Sequence, residues 1–148
     1  MKILLAIDDS KFSEAAAQAV MAHHRLQDLE VRVLHAVEPP TAFIAPEMAE
    51  YIPPRESAEE AKGLVAKTAD ALRSAGVNVS TAVTQGDPKS IIIDDAKAWG
   101  ADLIVLGSHG RKGLDRFMLE SVSEAVLRHA HCSMEIVRLP PQMIPQPL

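Results

Sequence analysis

Short apolar runs rich in strand formers alternate along this chain with helical stretches that carry their own start and stop signals, and few folds accommodate that order. "KILLAI" (2–7) and "DLIVLG" (102–107) are almost continuously apolar, as strands covered on both faces are. "EVRVLHAV" (30–37), "VNVSTAV" (77–83) and "MEIVRL" (134–139) alternate more, as strands nearer a sheet edge do. Between them, Ser10 or Ser13 opens a first helix with Phe12, Ala16, Ala19, Val20 and His23 at helical spacing. Ser57 and Glu60 form a capping box for a second helix, which runs through Ala61, Leu64, Val65, Thr68 and Leu72 and stops at Gly76. Asp87-Pro88 opens a third that Gly100 closes, and Ser121 with Glu124 caps a fourth. Strands alternating with helices imply an α/β domain, a mostly parallel sheet with helices on both faces. Ligands of such sheets bind beyond the carboxyl ends of the strands, where strand order reverses. The segments to inspect are therefore "IDDS" (7–10), "HAVE" (35–38), "TQGD" (84–87) and "GSHG" (107–110).

At 148 residues the chain has the size of one domain, and neither a repeat nor an internal boundary divides it. The expected unit is 1–139, followed by a Pro-rich tail, 140–148. Residues 38–56 interrupt the pattern with Pro39, Pro40, Pro46, Pro53 and Pro54, which no helix survives. Only 3% of the chain is aromatic, so Ala, Val, Ile and Leu must build the core. A net charge of -5 with scattered basic residues disfavours nucleic acid as a partner. No apolar run reaches membrane-spanning length, and "KILLAI" is too short for a signal peptide. The single cysteine, Cys132, leaves no internal disulfide framework. A cytoplasmic protein is the expectation.

The stretch "GSHGRKGLDRFMLESVSEAV" (107–126) follows a buried strand and precedes a capped helix. It is neither a Walker A motif nor G-x-G-x-x-G, its glycines being Gly107, Gly110 and Gly113. In that context the glycines let backbone amides approach an anion. The free amides of Val122, Ser123 and Glu124 at the helix start offer a second anion-binding surface. The same residues also suit a turn that merely returns the chain to the sheet, and spacing alone does not choose.

The segment resembles the universal stress protein family, whose hallmark is G-x-x-G, nine residues, then G-[S/T]. Gly107 and Gly110 match its first part, and "SVSEAVLRHAHC" (121–132) is similar to the helix that follows. The likeness continues in "AIDDS" (6–10), "LHAVEPP" (34–40) and "GDPKSII" (86–92), in the family's order. It implies a doubly wound five-stranded parallel sheet in 3-2-1-4-5 order, and a homodimer commonly built through the last strand. It also implies a role in stress response and an adenine nucleotide, ATP, ADP or AMP, as ligand. By motif position Asp8 would sit near the adenosine, and the backbone of Ala36 would read the adenine edge. Gly86 would leave room beside the nucleotide. Gly107, Ser108, His109 and Gly110 would hold the sugar and inner phosphates. Ser121, with the Val122 amide, would reach the outer phosphate.

One position departs from the hallmark: its second glycine is Glu120. A carboxylate about 5 Å from a phosphate charge, at an effective dielectric of ~20, costs about 3 kcal/mol, roughly a hundredfold in affinity. Glu120 also competes with phosphate for the helix amides, while Arg111, Lys112 and Arg116 offset part of the repulsion. The expectation is an adenine-nucleotide-binding regulator, not an enzyme, that takes AMP or ADP better than ATP. The alternative is a dimeric interaction protein whose site Glu120 closes. A nucleotide-transferring enzyme fares worst, because the chain lacks "SGG" followed by Asp-Ser and lacks His-x-Gly-His.

Other clusters read more simply. Asp8, Asp9 and Asp87 suggest a metal or general-base group, but no activated nucleophile accompanies them, and Asp87 suits a helix N-cap. His129, His131 and Cys132 lack metal-ligand spacing and fit a helix end, as do His23 and His24. His109 is either a turn residue in water or part of the site lining. In 134–139, Met134, Ile136 and Arg138 share one face and Glu135, Val137 and Leu139 the other, and pairing with a second copy would cover that edge.

Overall fold

The structure is a computed structural model and describes residues 1–38, 56–109 and 121–139. Five strands, β1 (Lys2–Ala6), β2 (Glu30–Val37), β3 (Asn78–Gln85), β4 (Leu103–Gly107) and β5 (Ser133–Val137), pair in parallel in the order β3-β2-β1-β4-β5. The doubly wound α/β sheet in 3-2-1-4-5 order is thus the observed architecture. Four helices join the strands: α1 (Lys11–His23), α2 (Ala58–Ser74), α3 (Pro88–Trp99) and α4 (Ser121–His129). A short 3-10 turn at Leu26–Asp28, absent from the expected elements, leads into β2. The Pro-rich residues 39–55 and the tail 140–148 lie outside the described residues.

Helix ends fall where cap chemistry puts them. Ser10 caps α1, its hydroxyl accepting from the Ser13 amide, and Ser57 caps α2 by accepting from Glu60. Asp87 is the N-cap of α3 with Pro88 behind it, but its carboxylate accepts from the Ser90 hydroxyl rather than from a backbone amide. Gly100 ends α3 with φ 77°, a left-handed conformation that favours glycine. At α4 the expected cap moves inward. Ser121 is the first helical residue and not the cap, and Glu124 instead accepts from Arg128 one turn on.

The strand pattern sorts the core into two layers. Ile3, Leu5, Val31, Val33, Leu103 and Val105 face α1 and α2. Leu4, Leu34, Ile104 and Leu106 face α3 and α4. Because β1 and β4 lie inside the sheet, both of their faces need apolar cover, which explains the unbroken runs "KILLA" and "LIVLG". Edge strand β3 is largely exposed and edge strand β5 half-buried. Arg32 of β2 binds Asp95 of α3 in a two-pronged ion pair, with Nε to Oδ2 at 2.8 Å and Nη2 to Oδ1 at 3.1 Å. On the opposite face, Glu135 of β5 accepts from His23 Nδ1 at 2.8 Å and lies 3.4 Å from His24 Nε2, fastening the end of α1 to the sheet. His23 therefore sits at the surface, off the core face on which helical spacing had put it.

Ile104 is fully buried, so Ile104→Ala should lower stability by about 2–5 kcal/mol. Urea unfolding should show a lower midpoint with an unchanged slope. Val83→Ala on exposed β3 should stay within about 0.5 kcal/mol of the parent.

Candidate functional site

The order of strands reverses between β1 and β4, and their ladder ends at Leu5–Val105, two residues before β4 does. Beyond that point the chain leaves β1 for α1 on one face and follows β4 toward α4 on the other. Such a parting of neighbouring strands is where open parallel sheets bind ligands.

At the tip of β1, Asp8 is held by the first turn of α1. Its amide donates to Ser13 Oγ at 2.8 Å. Its Oδ1 accepts from the Ser10 amide at 2.8 Å and from Ser13 Oγ at 2.9 Å. Ser13, named in the sequence only as a possible cap, is a buried bracket for this aspartate. Across the parting, the Ser108 amide donates to the Val137 carbonyl, and Ser108 and His109 are both buried. His109 meets Phe12 of α1 edge to face, with centroids 5.3 Å apart, so it is not a turn residue in water. The start of α4 is tied to the same place: Ser123 Oγ donates to the Gly107 carbonyl at 3.0 Å. Ser123 is fully buried and carries the link between α4 and β4.

Ala36 and Gly86 belong to the neighbouring part of the same edge. Ala36 is in register with Thr84, and the Gly86 amide donates to the Val37 carbonyl at 2.9 Å. Past the end of the β1–β2 ladder, two more bonds tie β2 to Ile7: the Ile7 amide donates to the Leu34 carbonyl, and His35 Nδ1 lies 2.8 Å from the Ile7 carbonyl oxygen. The four strand tips therefore share one edge, with Asp8, Gly107, Ser108 and His109 at the parting and Ala36 and Gly86 beside it. Ser121 is exposed and Val122 half-buried in the first turn of α4. Gly110 and Glu120 lie outside the described residues, as do Arg111, Lys112 and Arg116.

Sequence reasoning missed two things here. His35 and Glu56 are paired, with Nε2 2.8 and 3.0 Å from the two carboxylate oxygens. A polar residue at an inward-facing strand position was the available signal. The second concerns the glycines. A Cβ on Gly107 would stand 2.6 Å from Phe12 Cβ and 3.0 Å from the Phe12 backbone. At Gly86, φ is +149° and a Cβ would meet Ile91 Cδ1 at 2.9 Å. Gly107 needs glycine for its packing against Phe12, and Gly86 for its positive φ.

Among the described residues no group of three or more His, Cys, Asp or Glu is arranged to hold a metal ion. No helix there is long and apolar enough to cross a membrane. Cys132, half-buried just before β5, has its thiol pushed up from the ordinary value by burial and then by Asp102, against a smaller opposing effect of its own backbone hydrogen bond.

The model of the Universal stress protein family matches residues 1–138. A universal stress protein of Methanocaldococcus jannaschii is 34% identical over 143 residues, covering 94% of this chain and 82% of that one. Universal stress protein UspA from Lactobacillus plantarum superposes with a TM-score of 0.76 at 26% identity, over 93% of this chain and 97% of the other. A family protein from Arabidopsis thaliana with AMP bound gives 0.74 at 18% identity, over 99% and 96%. A universal stress protein in complex with cAMP gives 0.65 at 20%, over 93% and 95%.

Gly107→Ala should destabilise the chain by about 1–3 kcal/mol through overpacking. Phe12→Ala should not rescue it, since the clash is with the Cβ and backbone that alanine retains; a double-mutant cycle of urea midpoints checks this. Iodoacetamide should alkylate Cys132 more slowly in the folded chain than in the unfolded chain at pH 8. The gap should narrow as pH rises, because the thiolate reacts and the folded thiol gives up its proton at higher pH.

Proposed function

Because the chain belongs to the universal stress protein family, we propose that it is an adenine-nucleotide-binding regulator of the cytosolic stress response rather than an enzyme. The observation that carries the reading is the gathering of Asp8, Ser108 and His109 around the end of the β1–β4 ladder, with the first turn of α4 bound to Gly107. AMP and cAMP in two proteins of the same fold support an adenosine-sized ligand at this edge. In the proposed arrangement Asp8 meets the adenosine, Ala36 reads the adenine edge, and Gly86 lies beside it. Residues 107–110 take the sugar and inner phosphates.

The sequence then argues for a preference among nucleotides. Glu120 immediately precedes α4 and stands at the hallmark's second glycine. Its charge opposes an outer phosphate near Ser121 and leaves AMP and ADP the better ligands. The working unit is a homodimer joined through β5, which has a neighbour within the sheet on one side only.

A second reading, an interaction protein that binds no nucleotide, draws on the glycines. Phe12 fills the space in front of Gly107 and the positive φ of Gly86 favours glycine, so these residues are accounted for without a ligand.

Thermal unfolding with each nucleotide separates the two. A ligand at a hundred times its dissociation constant adds about 2.7 kcal/mol, and AMP and ADP should raise the melting temperature more than ATP. Glu120→Gly should tighten ATP binding; unchanged or weaker binding refutes the role given to Glu120. No shift with any nucleotide at millimolar concentration favours the second reading.

A further inference from the structure

His35 is a buried imidazole near the end of β2, bound on both sides. Nδ1 lies 2.8 Å from the Ile7 carbonyl oxygen, and a carbonyl only accepts, so Nδ1 carries a hydrogen. Nε2 lies 3.0 and 2.8 Å from the two oxygens of Glu56. A singly protonated imidazole would turn its remaining lone pair toward those oxygens. The contact therefore needs one further proton, held between Nε2 and the carboxyl group. Among the described residues these are the polar partners of His35; β3 contributes Val83 in register, which is uncharged. Charged groups at the near ends of the adjoining elements include Asp8 and Asp9 after β1, Glu38 after β2, Asp87 after β3, and Glu59 and Glu60 in the first turn of α2.

The Ile7 carbonyl belongs to the same peptide group as the Asp8 amide. His35 donates to the oxygen of that group, and its N–H donates to Ser13 Oγ, which in turn donates to Asp8 Oδ1. One peptide plane is thus gripped from both ends, and the Asp8 carboxylate takes its orientation from it. Glu56 holds the far side of His35, one residue before Ser57, the N-cap of α2.

We propose that His35 and Glu56 are a positioning pair for the adenine-nucleotide site: sharing a proton, they pin the Ile7–Asp8 peptide to the head of α2 and so aim Asp8 at the ligand. The inference rests on the nucleotide reading above. Neither residue needs to touch the nucleotide. Their effect passes through the peptide and through Ser13, so Asp8 is as well placed as the pair allows.

Two measurements on the full chain test this. Long-range proton–nitrogen NMR should show His35 protonated at Nδ1; a bare Nδ1 with hydrogen on Nε2 alone overturns the proposal. Glu56→Ala should speed hydrogen exchange at the Asp8 amide and weaken AMP binding about tenfold, the loss of roughly one charge-assisted hydrogen bond. Glu56→Gln, whose carboxamide can donate to Nε2, should keep AMP affinity within about threefold. An alanine variant with unchanged Asp8 exchange and AMP affinity overturns the proposal, as does a glutamine variant no better than alanine. If alanine fails to fold, the Nδ1 state and the glutamine variant still decide. Absence of AMP binding by the parent chain would defeat the nucleotide reading instead, while the imidazole spectrum and Asp8 exchange judge the clamp without ligand.

Discussion

Parallel strands β1 and β4 stay paired only to Leu5 and Val105, and the chain then departs to opposite faces of the sheet. That parting requires α1 to begin close against the end of β4. The approach is tight enough that Gly107 has no space for a side chain beside Phe12. Once α1 is seated, Ser10 and Ser13 sit within reach of Asp8, and Phe12 within reach of His109. The polar groups at this edge are therefore arranged by helix packing. Asp8, Ser108 and His109 are thus set in place by contacts within the chain itself.

The architecture was legible because its signals were local and repeated. The Ser10, Ser57, Pro88 and Gly100 boundaries came from cap and turn chemistry, and the interior places of β1 and β4 from unbroken apolar runs. The site was legible only as a set of strand tips. Nothing local in "EVRVLHAV" says that His35 reaches Ile7 and Glu56, because those bonds join residues 28 and 21 positions apart. The glycines illustrate the converse. Gly107 reads as a phosphate contact in sequence, whereas its missing side chain also answers to a neighbour nearly a hundred residues earlier, invisible to any window on residues 107–110. Ser121 shows that a serine expected as a cap can instead take a place in the first helical turn.

Family membership fixes the frame but not the chemistry of this chain. Two proteins with the same fold hold AMP or cAMP, and adenosine recognition at the β1–β4 parting is what is proposed for this one. In the proposed arrangement Glu120 opposes the outer phosphate, while Asp8, Ala36 and Gly86 are assigned to the adenosine.

The central claim is that the strand tips act as one ligand-binding edge. Mapping amide chemical shifts during an AMP titration tests it most directly. The account predicts perturbations concentrated at Asp8, Ala36, Gly86, Ser108 and His109, moving together with a single affinity. Shifts confined to another surface, or a different affinity at Asp8 than at His109, would contradict it.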